Sequence, residues 1–140
     1  MGTNDKIDKQ LPKNIISIQR TQNQQQLAEI YAAADLFVNP TREENYPTVN
    51  MEAIACGTPV LTFRTGGSPE MIGESCGLVV EKGDVDAMAA AIFRMPKKDT
   101  TATLLLKYAQ RFAQEARFEE YVDMYNCDER TESNCSFGLD

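Results

Sequence analysis

The sequence predicts an α/β fold, a parallel sheet covered by helices on both of its faces. Three observations carry that expectation. Short apolar runs at residues 36–39, 60–63 and 78–80 recur between segments of helical spacing. Those segments are about ten residues long, the length of a crossover helix rather than a hairpin turn, so successive strands must run parallel. Glycine and proline punctuate the transitions at Pro40, Gly57, Pro59, Gly83 and Pro96, where a helix or strand has to stop. Right-handed crossovers of this kind build a doubly wound sheet.

After a polar opening segment with Pro12, residues 14–19 are rich in isoleucine and alternate weakly, which predicts a first strand. Asn23 can cap the helix that follows, and Leu27, Ile30, Tyr31 and Ala34 give that helix an apolar face. Residues 36–39 form the next strand, ended by Pro40, and residues 41–46 a polar loop. The following helix has Pro47 near its first turn, residues 49–56 inside, Gly57 just past its end and Pro59 beyond. Residues 60–63 make a third strand, 65–69 a glycine turn, 70–73 at most a short helix, and 78–80 a fourth strand. Gly83 then turns the chain, and Asp84 can cap a helix from 85 to about 95. Residues 104–116 and 118–125 predict one or two further helices, bent near Arg117, with Phe112, Phe118, Tyr121 and Tyr125 as a packing stripe. The folded domain is expected over residues 1–126, and residues 127–140, polar and acidic without a period, are expected to be a disordered tail.

Composition narrows the function classes. A chain of 140 residues with 42% hydrophobic content is sized for one domain. Its net charge of −7 argues against a nucleic-acid partner, because neutralising phosphates takes clustered Lys and Arg. No apolar run approaches the roughly 20 residues that cross a bilayer, and the first ten residues lack a signal-peptide core. A cytoplasmic protein without a transmembrane segment is the expectation. The four cysteines have no metal-ligand spacing and are read as free thiols. With no histidine in the chain, Cys/His zinc sites and Ser/His/Asp triads are excluded, and chemistry rests on carboxylates, backbone donors or the substrate itself.

The segment from Glu44 to Glu52 sets one carboxylate in the loop after a strand and another about a turn into the next helix. Both can look toward one crevice at the carboxyl ends of the strands, where a helix amino end offers free N–H groups and about half a positive charge. A diphosphate fits that place. The amides of Thr48 and Val49 would take its oxygens, Glu52 ribose hydroxyls and Glu44 a sugar hydroxyl, with both carboxylates kept off the phosphates by like charge. The bland alternative is a pair of solvated surface acids.

The surrounding string runs from Tyr31-Ala32-Ala33-Ala34-Asp35 through Pro40-Thr41-Arg42, Glu44 and Glu52-Ala53-Ile54-Ala55-Cys56-Gly57-Thr58-Pro59-Val60 to Gly66-Gly67-Ser68-Pro69-Glu70, Gly77-Leu78-Val79-Val80 and Gly83-Asp84. In order and spacing, over about residues 25–92, it closely resembles the group 1 (family 4) glycosyltransferases. The resemblance implies a GT-B enzyme with two facing Rossmann-like domains, of which this chain would be an incomplete C-terminal, donor-binding one. It implies a nucleotide diphosphate sugar, UDP- or GDP-linked, as donor and no other cofactor or metal. It also implies retaining transfer to a glycan or lipid-linked acceptor, a role in polysaccharide biosynthesis, and, for the complete protein, a peripheral place at the membrane. The family's first glutamate, matching Glu44, contacts the donor sugar and is the residue counted as catalytic, by positioning rather than bond making. Its second, matching Glu52, binds the ribose, and the amides matching Thr48 and Val49 hold the diphosphate. Tyr46 falls inside that donor-binding segment. Asn45 and Pro47 stand where many members have glycine, and Pro47 has no N–H to donate.

Several residues keep two readings. Gly66 and Gly67 can form a nest of N–H groups near the donor or a turn that needs positive φ. Arg20, in the loop at 19–21, lies where family members contact the base, or is simply part of a strand-to-helix loop. Arg42 matches an arginine common in the family, or is a surface charge. Asp84-Val85-Asp86 can be mistaken for a DxD metal motif, but its position favours an N-cap. Cys56 is read as core packing. The basic pair that family members use to neutralise the leaving diphosphate has no counterpart here, so the chain alone is expected to be weakly active or inactive. Its partners would be the acceptor domain or a separate subunit, with self-association through an exposed C-terminal helix as a further expectation. The alternative to an enzyme part is a noncatalytic nucleotide-sugar-binding module or one subunit of a split transferase.

Overall fold

The computed structural model describes residues 4–95, 98–115, 118, 119 and 122. Helix α1 (Asp5–Asp8) is one turn capped by the Asn4 side chain, and α2 (Gln24–Ala33) is capped by Asn23 as expected. Strand β1 (Phe37–Asn39), helix α3 (Thr48–Ala55), strand β2 (Val60–Phe63), the single turn α4 (Ser68–Met71), strand β3 (Gly77–Val80) and helix α5 (Val85–Ile92) follow. Helix α6 (Lys98–Ala109) runs into a 3-10 turn at Gln110–Phe112. The strands form one parallel sheet in the order β1-β2-β3, with Phe37 beside Val60 and Val60 beside Gly77.

Strand β2 is the centre of the molecule. All four of its residues are buried, as a strand with helices on both faces must be, and this is why its sequence does not alternate. Successive side chains still point to opposite faces. Val60 packs with Tyr31 of α2, Ala53 and Ile54 of α3, and Leu105 of α6. Leu61 and Phe63 pack with Met88 and Ala91 of α5. The sheet is therefore covered on both faces, as the sequence predicts.

Three expectations are corrected. Residues 14–19 are not a strand, and the described sheet has three strands instead of four. A strand needs a neighbour to pair with, and here the segment is tied by side chains to α1. Ser17 Oγ donates to Asp8 at 2.5 Å, and Gln19 Nε2 donates to Asp5 and Asp8 at 2.7 and 2.6 Å. Ile15 and Ile16, within that expected strand, are exposed. The last helix starts at Lys98 rather than 104. Thr100 and Thr101 are weak helix formers that hide its start, but Thr101 and Leu105 are buried against the domain. Lys98 Nζ donates to the carbonyls of Ala32 and Ala34 and to Thr58 Oγ1, so a cation meets the open carbonyl end of α2. Helix α5 stops at Ile92, short of the expected 95. Tyr121, Tyr125 and the tail at 127–140 lie outside the described residues.

The core assignment has a direct check by chemical denaturation. Ile54→Ala is expected to lower stability by about 2–5 kcal/mol, because the side chain is fully buried in the cluster with Tyr31, Val60 and Leu105 and its loss leaves a cavity. Phe93→Ala, at a side chain 91% exposed, is expected to change it by less than about 0.5 kcal/mol.

Candidate functional site

The site is built at the carboxyl ends of the strands, where the chain leaving β1 turns through a loop into α3. Pro47 takes the N-cap position of α3 and offers no side-chain hydrogen bond. Its carbonyl accepts from Asn50 N–H at 3.0 Å. Thr48 and Val49 come before that bond, so their N–H groups have no intrahelical acceptor. Helices α2 and α5, by contrast, are closed by Asn23 and Asp84, whose side chains accept from Gln26 N–H and Ala87 N–H at 2.8 Å each. The amino end of α3 thus presents open donors and the positive end of a helix dipole. Thr48 is exposed and Val49 half-buried.

The loop before α3 is braced by the turn after β2. Gly66 has φ +48°, and a Cβ there would lie 2.0 Å from the Glu44 carbonyl oxygen and 2.5 Å from that of Asn45. Only glycine permits so close a backbone approach. Gly67 N–H donates to Asn45 O at 2.6 Å, and a Cβ on Gly67 would stand 2.4 Å from Cδ2 of the Tyr46 ring. Thr65 Oγ1 adds a bond to Thr41 O. Gly66 has the positive φ of a turn and also lines the cleft beside Glu44. The amide of Gly67 is committed to Asn45, so Gly67 braces the loop instead of facing a ligand with that group. Tyr46 is half exposed and rests on this turn.

The two glutamates sit on different clefts. Glu44 is exposed, accepts from Asn45 N–H at 3.1 Å, and lines a cleft of about 390 Å³ with Arg42, Asn45, Arg64, Gly66 and Lys82. Glu52 is half-buried and lines two smaller depressions. One, about 330 Å³, runs between α3 and α6 beside Thr48 and Phe112. The other, about 320 Å³, lies between α3 and α2 beside Gln24, Leu27 and Tyr31. The start of α3 lies between the two carboxylates along the chain, and Thr48 shares a cleft with Glu52. Arg20 is exposed in the loop before α2, with no hydrogen bond or ion pair among the described residues.

The structure adds residues that the sequence reading missed. Tyr31 is 3% exposed, packs edge-on against Phe37 with ring centres 5.3 Å apart, and donates its hydroxyl to Glu52 Oε2 at 3.2 Å. Burial, and then the charge of Glu52, push its phenol well above the ordinary range. The pair joins residues 21 positions apart, and no motif spacing signals it. Asn50, fully buried one turn into α3, accepts from Asn39 Nδ2 at 3.0 Å, while its own Nδ2 has no partner among the described residues. The sequence shows both as ordinary polar residues. Asp84 is an N-cap, as its position implied, and no group of metal-ligating side chains occurs among the described residues. Cys56 packs beside the core and burial pushes its thiol up, with Cys76 alike. No described helix is long and apolar enough to cross a membrane.

Two outcomes test this geometry. Gly66→Ala is expected to cost about 1–3 kcal/mol and to move the backbone amide resonances of residues 43–46. The raised phenol of Tyr31 means the folded state favours the protonated form. That contribution is complete below the unfolded tyrosine value of about 10 and is lost as pH rises from there toward the higher folded value. Stability measured by urea unfolding should therefore fall above about pH 10, and less steeply in Tyr31→Phe.

Comparison with known proteins places the chain. The family model described as "Glycosyl transferases group 1" matches residues 1–97. The chain is 34% identical over 109 residues to a D-inositol 3-phosphate glycosyltransferase of Saccharomonospora viridis, covering 74% of this chain and 25% of that protein. Among solved structures it is similar to sucrose-phosphate synthase from Thermosynechococcus elongatus, with a TM-score of 0.59, 35% identity and coverage of 71% of this chain and 27% of that one. It shares its fold with Anabaena Alr3699/HepE, solved in complex with UDP, with a TM-score of 0.59, 23% identity and coverage of 73% and 30%. The chain spans about a quarter of the length of the curated relatives it matches. Its parallel, doubly covered sheet is Rossmann-like, and the chain belongs to the group 1 glycosyltransferases.

Proposed function

We propose that the chain holds the nucleoside diphosphate of a sugar donor at the amino end of α3, as the donor-binding part of a glycosyltransferase. The observation that carries this reading is the uncapped start of α3 at the carboxyl edge of a parallel sheet, with a carboxylate before it and another one turn in. The amides of Thr48 and Val49 receive phosphate oxygens, each contact contributing about 1.5–3 kcal/mol as a charge-assisted hydrogen bond. Glu52 accepts from the ribose hydroxyls, held in place by the Tyr31 hydroxyl, and Arg20, in the loop before α2, contacts the base. Glu44 accepts from a hydroxyl of the sugar on the other side. UDP on the Anabaena protein of the same fold supports a nucleoside diphosphate sugar as the class, and we take UDP- or GDP-sugar as the donor.

In the complete protein the reaction is transfer of the sugar to a glycan or lipid-linked acceptor with retention of configuration. The anomeric C–O bond to the diphosphate breaks as the acceptor oxygen attacks from the same face, and the acceptor proton passes to the departing phosphate. The α3 dipole and its open amides stabilise the charge that develops on the diphosphate. Glu44 orients the sugar without bonding to its anomeric carbon. The acceptor is presented by a further domain or subunit facing this edge of the sheet, so the chain alone turns over slowly or not at all.

Thermal unfolding with UDP, GDP and ADP tests the donor site. One of the three is expected to raise the melting temperature above the other two and so name the base. Thr48→Pro keeps a residue suited to the first helical position but removes its N–H, and is expected to weaken that nucleotide about tenfold or more. Glu52→Gln should weaken the nucleotide while Glu44→Gln leaves it unchanged. No response to any of the three nucleotides would overturn the reading.

A further inference from the structure

The cleft beside Glu44 carries a charge pattern that a neutral sugar does not require. Each of the three parallel strands delivers one cation to it from just beyond its carboxyl end: Arg42 after β1, Arg64 after β2 and Lys82 after β3. Lysine and arginine are only 14 of the 140 residues, in a chain of net charge −7, so their convergence on one cleft stands out against the rest of the surface. Arg64 is shared with Glu81, its Nε 2.8 Å from Oε1. Arg42 and Lys82 have no ion-pair partner among the described residues, and both are exposed. Glu43 and Glu44 line the same cleft, so three cations meet two carboxylates there, which sets acceptors for hydroxyls next to donors for an anion. That combination suits a ligand with both groups, and the glycine turn at Gly66 fixes the floor on which they meet.

We infer that this cleft is a subsite for an acidic sugar, with Arg42 and Lys82 binding its carboxylate or phosphate ester while Glu44 accepts from a ring hydroxyl. The inference rests on the proposed role of Glu44 at the sugar end of the donor. The anion can arrive on the donor, as a uronic acid, or on the acceptor. In either case the guanidinium of Arg42 offers paired N–H groups to the two anionic oxygens, and Lys82 a single charge. Because the cations are exposed, the selectivity is modest and salt-sensitive.

The test measures the affinity of the 140-residue chain for UDP, UDP-glucose and UDP-glucuronic acid at low salt, with GDP equivalents if GDP is the nucleotide bound. It is joined by amide NMR titrations with glucuronate, glucose 6-phosphate and glucose. A preference of about fivefold for the glucuronic acid donor, the sum of two exposed charge contacts, is expected if the anion comes on the donor. Loss of that preference in Arg42→Gln/Lys82→Gln, with nucleotide affinity unchanged, supports the subsite. If the donors bind alike but glucuronate or glucose 6-phosphate, unlike glucose, shifts the amides of Arg42, Gly66 and Lys82, the anion belongs to the acceptor. If those shifts occur with no nucleotide bound by the chain, the donor reading falls and the anion subsite stands. Equal donor affinities with no anion-dependent shift at these amides overturn the inference, and leave the donor site untouched if the nucleotide itself binds.

Discussion

The packing of α3 on the central strand is the contact on which the site depends. Ala53 and Ile54 are fully buried against Val60 and Asn50 is fully buried nearer the start, so the eight-residue helix is held toward both ends. Its amino end is therefore fixed at the carboxyl edge of the sheet, where Pro47 leaves the first amides open. The same contact fixes Glu52, which lies one residue before Ala53 and reaches the Tyr31 hydroxyl from the flank of the helix. The hydrophobic term that holds the fold together thus also aims the polar groups that would meet a ligand.

A second constraint sets the other side. The loop carrying Glu44 has no regular structure of its own, and it keeps its course because the turn after β2 runs against it backbone to backbone. Gly66 and Gly67 make that approach possible, with the 2.6 Å bond from Gly67 N–H to Asn45 O as its anchor. Whatever they meet in a ligand, their geometry makes both glycines supports of this loop. A motif can hold its order and spacing because the loop it braces is functional, without each member touching substrate.

Features with local causes were legible in the sequence. Asn23 and Asp84 cap helices because a short polar side chain reaches an amide one turn on, and Gly57 with Pro59 ends α3 for reasons of backbone geometry. Features that need a distant partner were not. Residues 14–19 have strand composition but no pairing partner among the described strands, so they follow their side-chain bonds to α1 instead. Glu44 and Glu52 were expected to share a crevice, yet they line separate clefts, because one is set by the Gly66 turn and the other by the flank of a helix. The link from Tyr31 to Glu52 and the meeting of Arg42, Arg64 and Lys82 arise only when three loops and two helices are brought together by the sheet.

The central claim is that the open amides of Thr48 and Val49 take the diphosphate. The most direct measurement is the site-resolved amide NMR spectrum of the chain as the nucleoside diphosphate it binds is added. Hydrogen bonds to phosphate should move the Thr48 and Val49 amide protons downfield by more than any others, with saturation at one affinity for both. Saturation without displacement of those two resonances, or with the largest changes at the capped ends of α2 or α5, would contradict the account.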